Sequence, residues 1–159
     1  MFPKPKNPKL SSRLTIIFLL IILTLVLSFL INYFFQSANQ RAVVIAEQKF
    51  NIELAKTAKE KTIGLSQRKK LPEKNGLLFV YERSLIPTFW MKDMKFPIDI
   101  IWIKDDMVVG YEKNLNPVAG EVDLPIYQPR AFVNYVLEIN AGLVEKYGIR
   151  VGDKVDFDI

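Results

Sequence analysis

TFWMKDMKFPIDIIWIKDDMVVGYE, residues 88–112, holds three apolar bursts of strand length: TFWMK, IDIIWI and MVVGYE. Lys104-Asp105-Asp106 stands between the last two and supplies a tight hairpin connection. Outward from this stretch the same grain continues. FNIELA (50–55) alternates apolar Phe50, Ile52 and Leu54 with polar partners, as a half-buried strand does. LLFVY (77–81), FVNYVLEI (132–139) and the terminal KVDFDI (154–159) add three more strands. Two short helices interrupt them. Thr57–Glu60 (TAKE) forms a capping box, and Gly64 stops the helix it opens. AGLVEKYG (141–148) is the second, with Asn140 as its expected cap and Gly148 as its stop. RKKLPEK (68–74) reads as a solvated charged turn, and Asn114–Arg130, with three prolines, as irregular chain. The expected fold is mainly β: a compact sandwich or barrel of about seven short strands with two short helices, preceded by one transmembrane helix.

Composition narrows the chemistry. The 159 residues include no Cys and no His. That excludes a disulfide framework, a thiolate nucleophile, a Ser-His-Asp triad and any Cys- or His-ligated metal. Catalysis would fall to carboxylates, Lys, Tyr, Ser or Thr, and no cofactor is implied. The net charge of +5 is concentrated at the start. Four of the 22 basic residues (Lys4, Lys6, Lys9, Arg13) precede Leu14 with no acid among them, leaving 18 basic against 17 acidic residues beyond. A nearly neutral domain of interspersed signs lacks the footprint of a nucleic-acid binder.

From Leu14 to Gln40 no residue is charged, and the densest part, Leu14–Phe35, is 22 residues long. Such a run crosses a hydrocarbon core of about 30 Å as a helix. The basic residues before it keep the N-terminus cytoplasmic by the positive-inside rule. A cleaved signal peptide is the rival; its apolar region is shorter and ends in small residues, whereas a cut after Ala38 would put Gln36 third before the cleavage site. The expected organisation is a basic cytoplasmic tail over 1–13, a signal anchor over 14–35, a linker over 36–49 and an extracytoplasmic β domain over 50–159. The bilayer is then a partner through residues 14–35, and the location is the plasma (inner) membrane.

Three carboxylates stand inside otherwise apolar strands: Asp93, Asp99 and Glu138. A buried unpaired charge is costly, so each needs a partner or a task. Lys92 and Arg68 are the candidate counter-ions. In an extended TFWMKDM each face mixes large apolar groups with one charge, so either both faces are covered or one lines a groove. Trp90, Lys92, Asp93, Asp99, Glu138 and Arg68 are therefore the candidate ligand-binding residues. For each, the plainer reading is a structural ion pair or a bond to loop amides. Asp105, Asp106 and Asp123 show no EF-hand spacing and read as solvated turn acids.

The blocks ELAKTAKEKTIGL, GLLFVY, FWMKDM, PIDIIWI, VLEINAGLV and GIRVGDKV occur in that order between Phe50 and Phe157. Together they resemble the family known as domain of unknown function 192. The resemblance implies a mainly-β fold of roughly 110 residues, borne by exported or membrane-tethered proteins, and no activity. The sequence departs from the family pattern at Lys61, where Arg is frequent, and at Ser66-Gln67, where a Met is common.

Three functions compete. A binding module would stack a small polar ligand, such as a sugar, on Trp90 and fix it with the charges nearby. A structural or assembly piece would meet another envelope protein and use the charges only to secure its fold. A carboxylate hydrolase would need two acids roughly 5–9.5 Å apart, one with a raised pKa.

Overall fold

The computed structural model describes residues 9–38, 41–118 and 124–159. The chain divides into two compact units, Met1–Gln40 and Arg41–Ile159. Residues 1–8 of the expected tail, 39–40 of the linker and Asp123 lie outside the described residues.

In the first unit, α1 spans Lys9–Ala38. Its side chains from Leu14 to Ile31 are all exposed, and this stretch is long and apolar enough to cross a membrane. The Thr24 hydroxyl donates back to the carbonyl of Ile21 at 2.8 Å, so it leaves no idle donor on an apolar helix.

The second unit is mainly β. Its elements run β1 (Ala42–Ile45), β2 (Gln48–Ala55), α2 (Ala58–Ile63), β3 (Asn75–Leu85), β4 (Ile98–Lys104), β5 (Met107–Leu115), β6 (Val133–Asn140), α3 (Leu143–Lys146) and β7 (Val155–Asp158). One seven-stranded sheet has the order β5-β4-β6-β3-β2-β1-β7. Only β2 and β3 pair in parallel, joined by the crossover that carries α2. The sheet curls into a half-barrel whose ends approach each other. Met107 bridges Lys154, and the amide of Val155 donates to the carbonyl of Asp106 at 2.8 Å.

Curling gives the sheet an inner and an outer face, and both are covered. Inward from β1 to β4 and β6 point Val43, Ile45, Phe50, Ile52, Leu78, Ile101, Ile103, Leu137 and Ile139, closed by Leu143 and Val144 of α3. Outward from β3, β4 and β6 point Leu77, Phe79, Ile100, Trp102 and Val136, beneath Leu65, Leu71, Phe89, Met91 and Met94 from the connecting segments. Strands buried on both faces read as unbroken apolar runs, which is why IDIIWI lacks alternation. Phe89 packs edge-on against Phe79 and Trp102, with ring centroids 4.9 and 5.4 Å apart.

Three expectations change. The linker expected over 36–49 contains β1, which pairs with β2 through a two-residue turn, Ala46-Glu47, at φ +49° and +63°. Such turns favour Asn-Gly, so this one carries no sequence signal. TFWMK is not a ladder strand. It is an irregular crossing, tied by a Phe89–Tyr127 bridge and a Lys92–Val118 bridge, with Phe89 and Met91 buried. The strand count survives because β1 takes its place. Finally, Asn140 does not cap α3; its amide donates to the carbonyls of Leu71 and Pro72 at 3.0 and 3.2 Å.

Candidate functional site

A cavity of about 290 Å³ opens on the outer face, between the end of α2, β3, β6 and the irregular 85–94 segment. Its builders are legible locally. The capping box fixes the start of α2: the Thr57 hydroxyl accepts from the Glu60 amide at 3.2 Å, and the Glu60 carboxylate accepts from the Thr57 amide at 2.8 Å. At the helix end Gly64 adopts φ +52°, ψ −131°, a conformation only glycine takes comfortably. A Cβ there would lie 3.5 Å from Phe79 Cζ and 3.7 Å from Glu138 Oε2, so the helix terminus lies close over the carboxyl.

Glu138 belongs to β6 and shares the outer face with Val136, between Leu77 of β3 and Ile100 of β4. It is only 6% exposed, and its Oε2 is buried with no hydrogen-bond partner. Burial pushes this carboxyl up to about 8, against the opposing charge of Arg68. At neutral pH Glu138 is thus mostly a neutral acid, able to donate a hydrogen bond or a proton. Tyr81, on the same face, is raised to about 12 by burial and then by the charge of Glu138. Lys61 Nζ sits 4.2 Å from the centroid of the Tyr81 ring, a cation–π contact on the cavity wall.

Of the six residues expected to bind a ligand, Trp90, Lys92 and Glu138 line this one cavity. Trp90 is 48% exposed, whereas Trp102 is 2% exposed in the core behind it. Arg68 is not on the lining. Its guanidinium grips Glu53 through two bonds of 2.5 and 2.7 Å, holding the Glu53 carboxyl below its ordinary range, and reaches Glu138 only through its field. Asp93 is an exposed turn residue at φ +58° and does not line the cavity.

Asp99 does not line it either; it faces inward and is fully buried. A bulge in β5 puts Asn114 at φ +55° and turns its amide out of the ladder. Asp99 Oδ1 accepts from that amide at 2.7 Å, and Oδ2 accepts from the Val144 amide in the first turn of α3 at 2.9 Å. Asp99 is the cap of α3, supplied from across the sheet. The plainer reading holds for it.

Sequence reasoning missed Lys61, Gly64, Phe79 and Tyr81. Phe79 and Tyr81 were within reach, since alternation along LLFVY puts them on one face. What could not be read was that β3 lies beside β6. Among the described residues no group of three acids could hold a metal ion, and Glu138 is the single acid on the lining. Among the described residues the cavity thus offers one carboxyl, where two-carboxylate cleavage uses a pair.

The family model for DUF192, described as Uncharacterized ACR, matches residues 41–157, the whole of the half-barrel but its last residues. The chain belongs to the DUF192 family. This DUF192 domain resembles two solved structures. One is a protein of unknown function from Novosphingobium aromaticivorans DSM 12444, 32% identical, with a TM-score of 0.66 over 72% of this chain and 83% of that one. The other, from Sinorhizobium meliloti 1021, is named as a proposed transcription regulator. It is 27% identical, with a TM-score of 0.67 over 74% of this chain and 92% of that one. No curated protein matches the sequence.

Proposed function

We propose that this DUF192 domain is a small-ligand-binding module of the cell envelope, tethered by α1 with its N-terminus cytoplasmic and its half-barrel outside. The observation that carries the reading is the unpartnered Glu138 oxygen, buried on the lining of a cavity that also includes a half-exposed Trp90. Proteins rarely leave a buried polar atom idle, because it forgoes about 1–3 kcal/mol of hydrogen bonding. A ligand group that meets it recovers that free energy. Aromatic faces with a few convergent polar groups suit sugars and other amphipathic ligands. The nearly neutral domain offers no electrostatic support for reading DNA, so the regulator named among its structural relatives lends no role here.

The test is a fluorescence titration of the full chain in lipid nanodiscs with cell-wall sugars and short peptides. Trp90→Phe serves as the control that assigns the signal. A saturable change that disappears in Trp90→Phe supports the module; silence across the panel moves the reading to protein–protein assembly. Topology is testable separately, because the chain has no Cys of its own. Lys70→Cys should react with a membrane-impermeant maleimide on intact cells, and Ser11→Cys should not.

A further inference from the structure

The lining also speaks to the charge of the ligand, an inference that rests on the cavity being a binding site. Among the described residues it carries two lysines, Lys61 and Lys92, and one acid, Glu138. We propose that the cavity takes a small organic anion: a carboxylate on a flat apolar body that lies against Trp90, its charge toward Lys61 and one oxygen toward Glu138.

Each part of that ligand answers a feature of the wall. Trp90 leaves nearly half its surface uncovered and offers a flat apolar face. Lys61 is held at the wall by its contact with the Tyr81 ring, which leaves the ammonium hydrogens facing away from the ring free to meet an oxygen. Glu138, neutral at pH 7 through burial, has a proton to give and an unpartnered oxygen. A neutral acid donating to a carboxylate is a charge-assisted hydrogen bond, shorter and stronger than one to a neutral carbonyl. The charged and titratable groups that share the lining with Glu138 are Lys61 at the end of α2, Tyr81 on β3 and Lys92 on the irregular segment; Arg68, off the lining and paired with Glu53, acts on it through its field. Among the described residues the lining thus carries two ammonium groups and, at pH 7, a carboxyl that burial keeps neutral, which favours an anion over a cation.

The test uses three probes of nearly one shape and different charge: benzoate, benzyl alcohol and benzylamine. The full chain in lipid nanodiscs, labelled at its methionine methyls, gives four signals. Met94 lines the cavity, and Met107 at the start of β5 serves as the distant control. At pH 6.5 benzoate should move Met94 saturably and leave Met107 in place. Benzyl alcohol should bind about tenfold more weakly or worse, the worth of one modest charge interaction, and benzylamine should not bind. Raising the pH to 9 ionises Glu138 and should weaken benzoate binding by about tenfold or more. Glu138→Gln, whose amide still donates, should keep it. A merely structural Glu138, whose ionisation only loosens the fold, would move Met107 along with Met94 between pH 6.5 and 9, so a Met107 signal that stays in place assigns the loss to the cavity. Preference for benzylamine or benzyl alcohol overturns the anion while leaving the binding module standing. So does silence from all three probes when a sugar binds; silence from probes and sugars alike overturns both.

Discussion

Glu138→Gln isolates the free energy of one buried proton. Unfolded, the carboxyl titrates near its ordinary 4.5; folded, it titrates at about 8. Between those values the native state holds a proton that the unfolded chain has released, so stability must fall as pH rises. The slope is about 1.4 kcal/mol per pH unit. Glu138's stabilising share is thus fully present below pH 4.5 and gone above about 8. From pH 5 to 9 the loss amounts to about 4 kcal/mol, a large part of the 5–15 kcal/mol typical of a domain. Gln cannot ionise and lacks this slope. Urea unfolding of both chains in mild detergent, followed by intrinsic fluorescence at each pH, gives the difference directly, and all other titrating groups cancel in it. The two proteins should be similar at pH 5, with the Gln variant more stable by about 4 kcal/mol at pH 9. A difference that stays constant across that range would refute the reasoning: the folded carboxyl would then ionise as freely as the unfolded one.

Other substitutions probe the remaining parts. Trp90→Ala should cost less than about 1 kcal/mol, as at a surface site, while Trp102→Ala, buried between Phe89 and the sheet, should cost about 3–5 kcal/mol in the same urea assay. Asp99→Ala strands the amides of Asn114 and Val144 and should cost about 2–4 kcal/mol. Asp99→Asn, which keeps one acceptor oxygen, should cost less, and equal losses would deny the capping role. Replacing Ala46-Glu47 by Asn-Gly relieves two left-handed residues and should stabilise by about 1 kcal/mol, read as a raised melting temperature.

The β architecture was legible because its cues are local. Short apolar bursts, a capping box and a hairpin acid pair each act over a few residues, and β3 to β7 stand near where those cues put them. What failed did so where local cues were silent or shared. Ala46-Glu47 turns without glycine or asparagine, so β1 hid in the linker. TFWMK has the composition of a strand, but its apolar side chains cover an existing sheet instead of joining it. The candidate site divides in the same way. That Asp99 and Glu138 interrupt apolar runs was plain from the sequence. Which of them is satisfied was not, because the answer lies in partners far along the chain: a bulge amide and a helix amide for Asp99, none for the inner oxygen of Glu138.

The place of β1 in the sheet has a mechanical meaning for the tether proposed above. Arg41 immediately precedes β1, and β1 lies between β2 and β7, bonded along its length to both. Consider a pull on Arg41 along the axis of this strand. Bonds on its two flanks are then loaded together in shear and share the force, whereas a lone edge strand peels one bond at a time. Force entering the half-barrel at its first strand would thus meet a strand held on both flanks, and not a free edge.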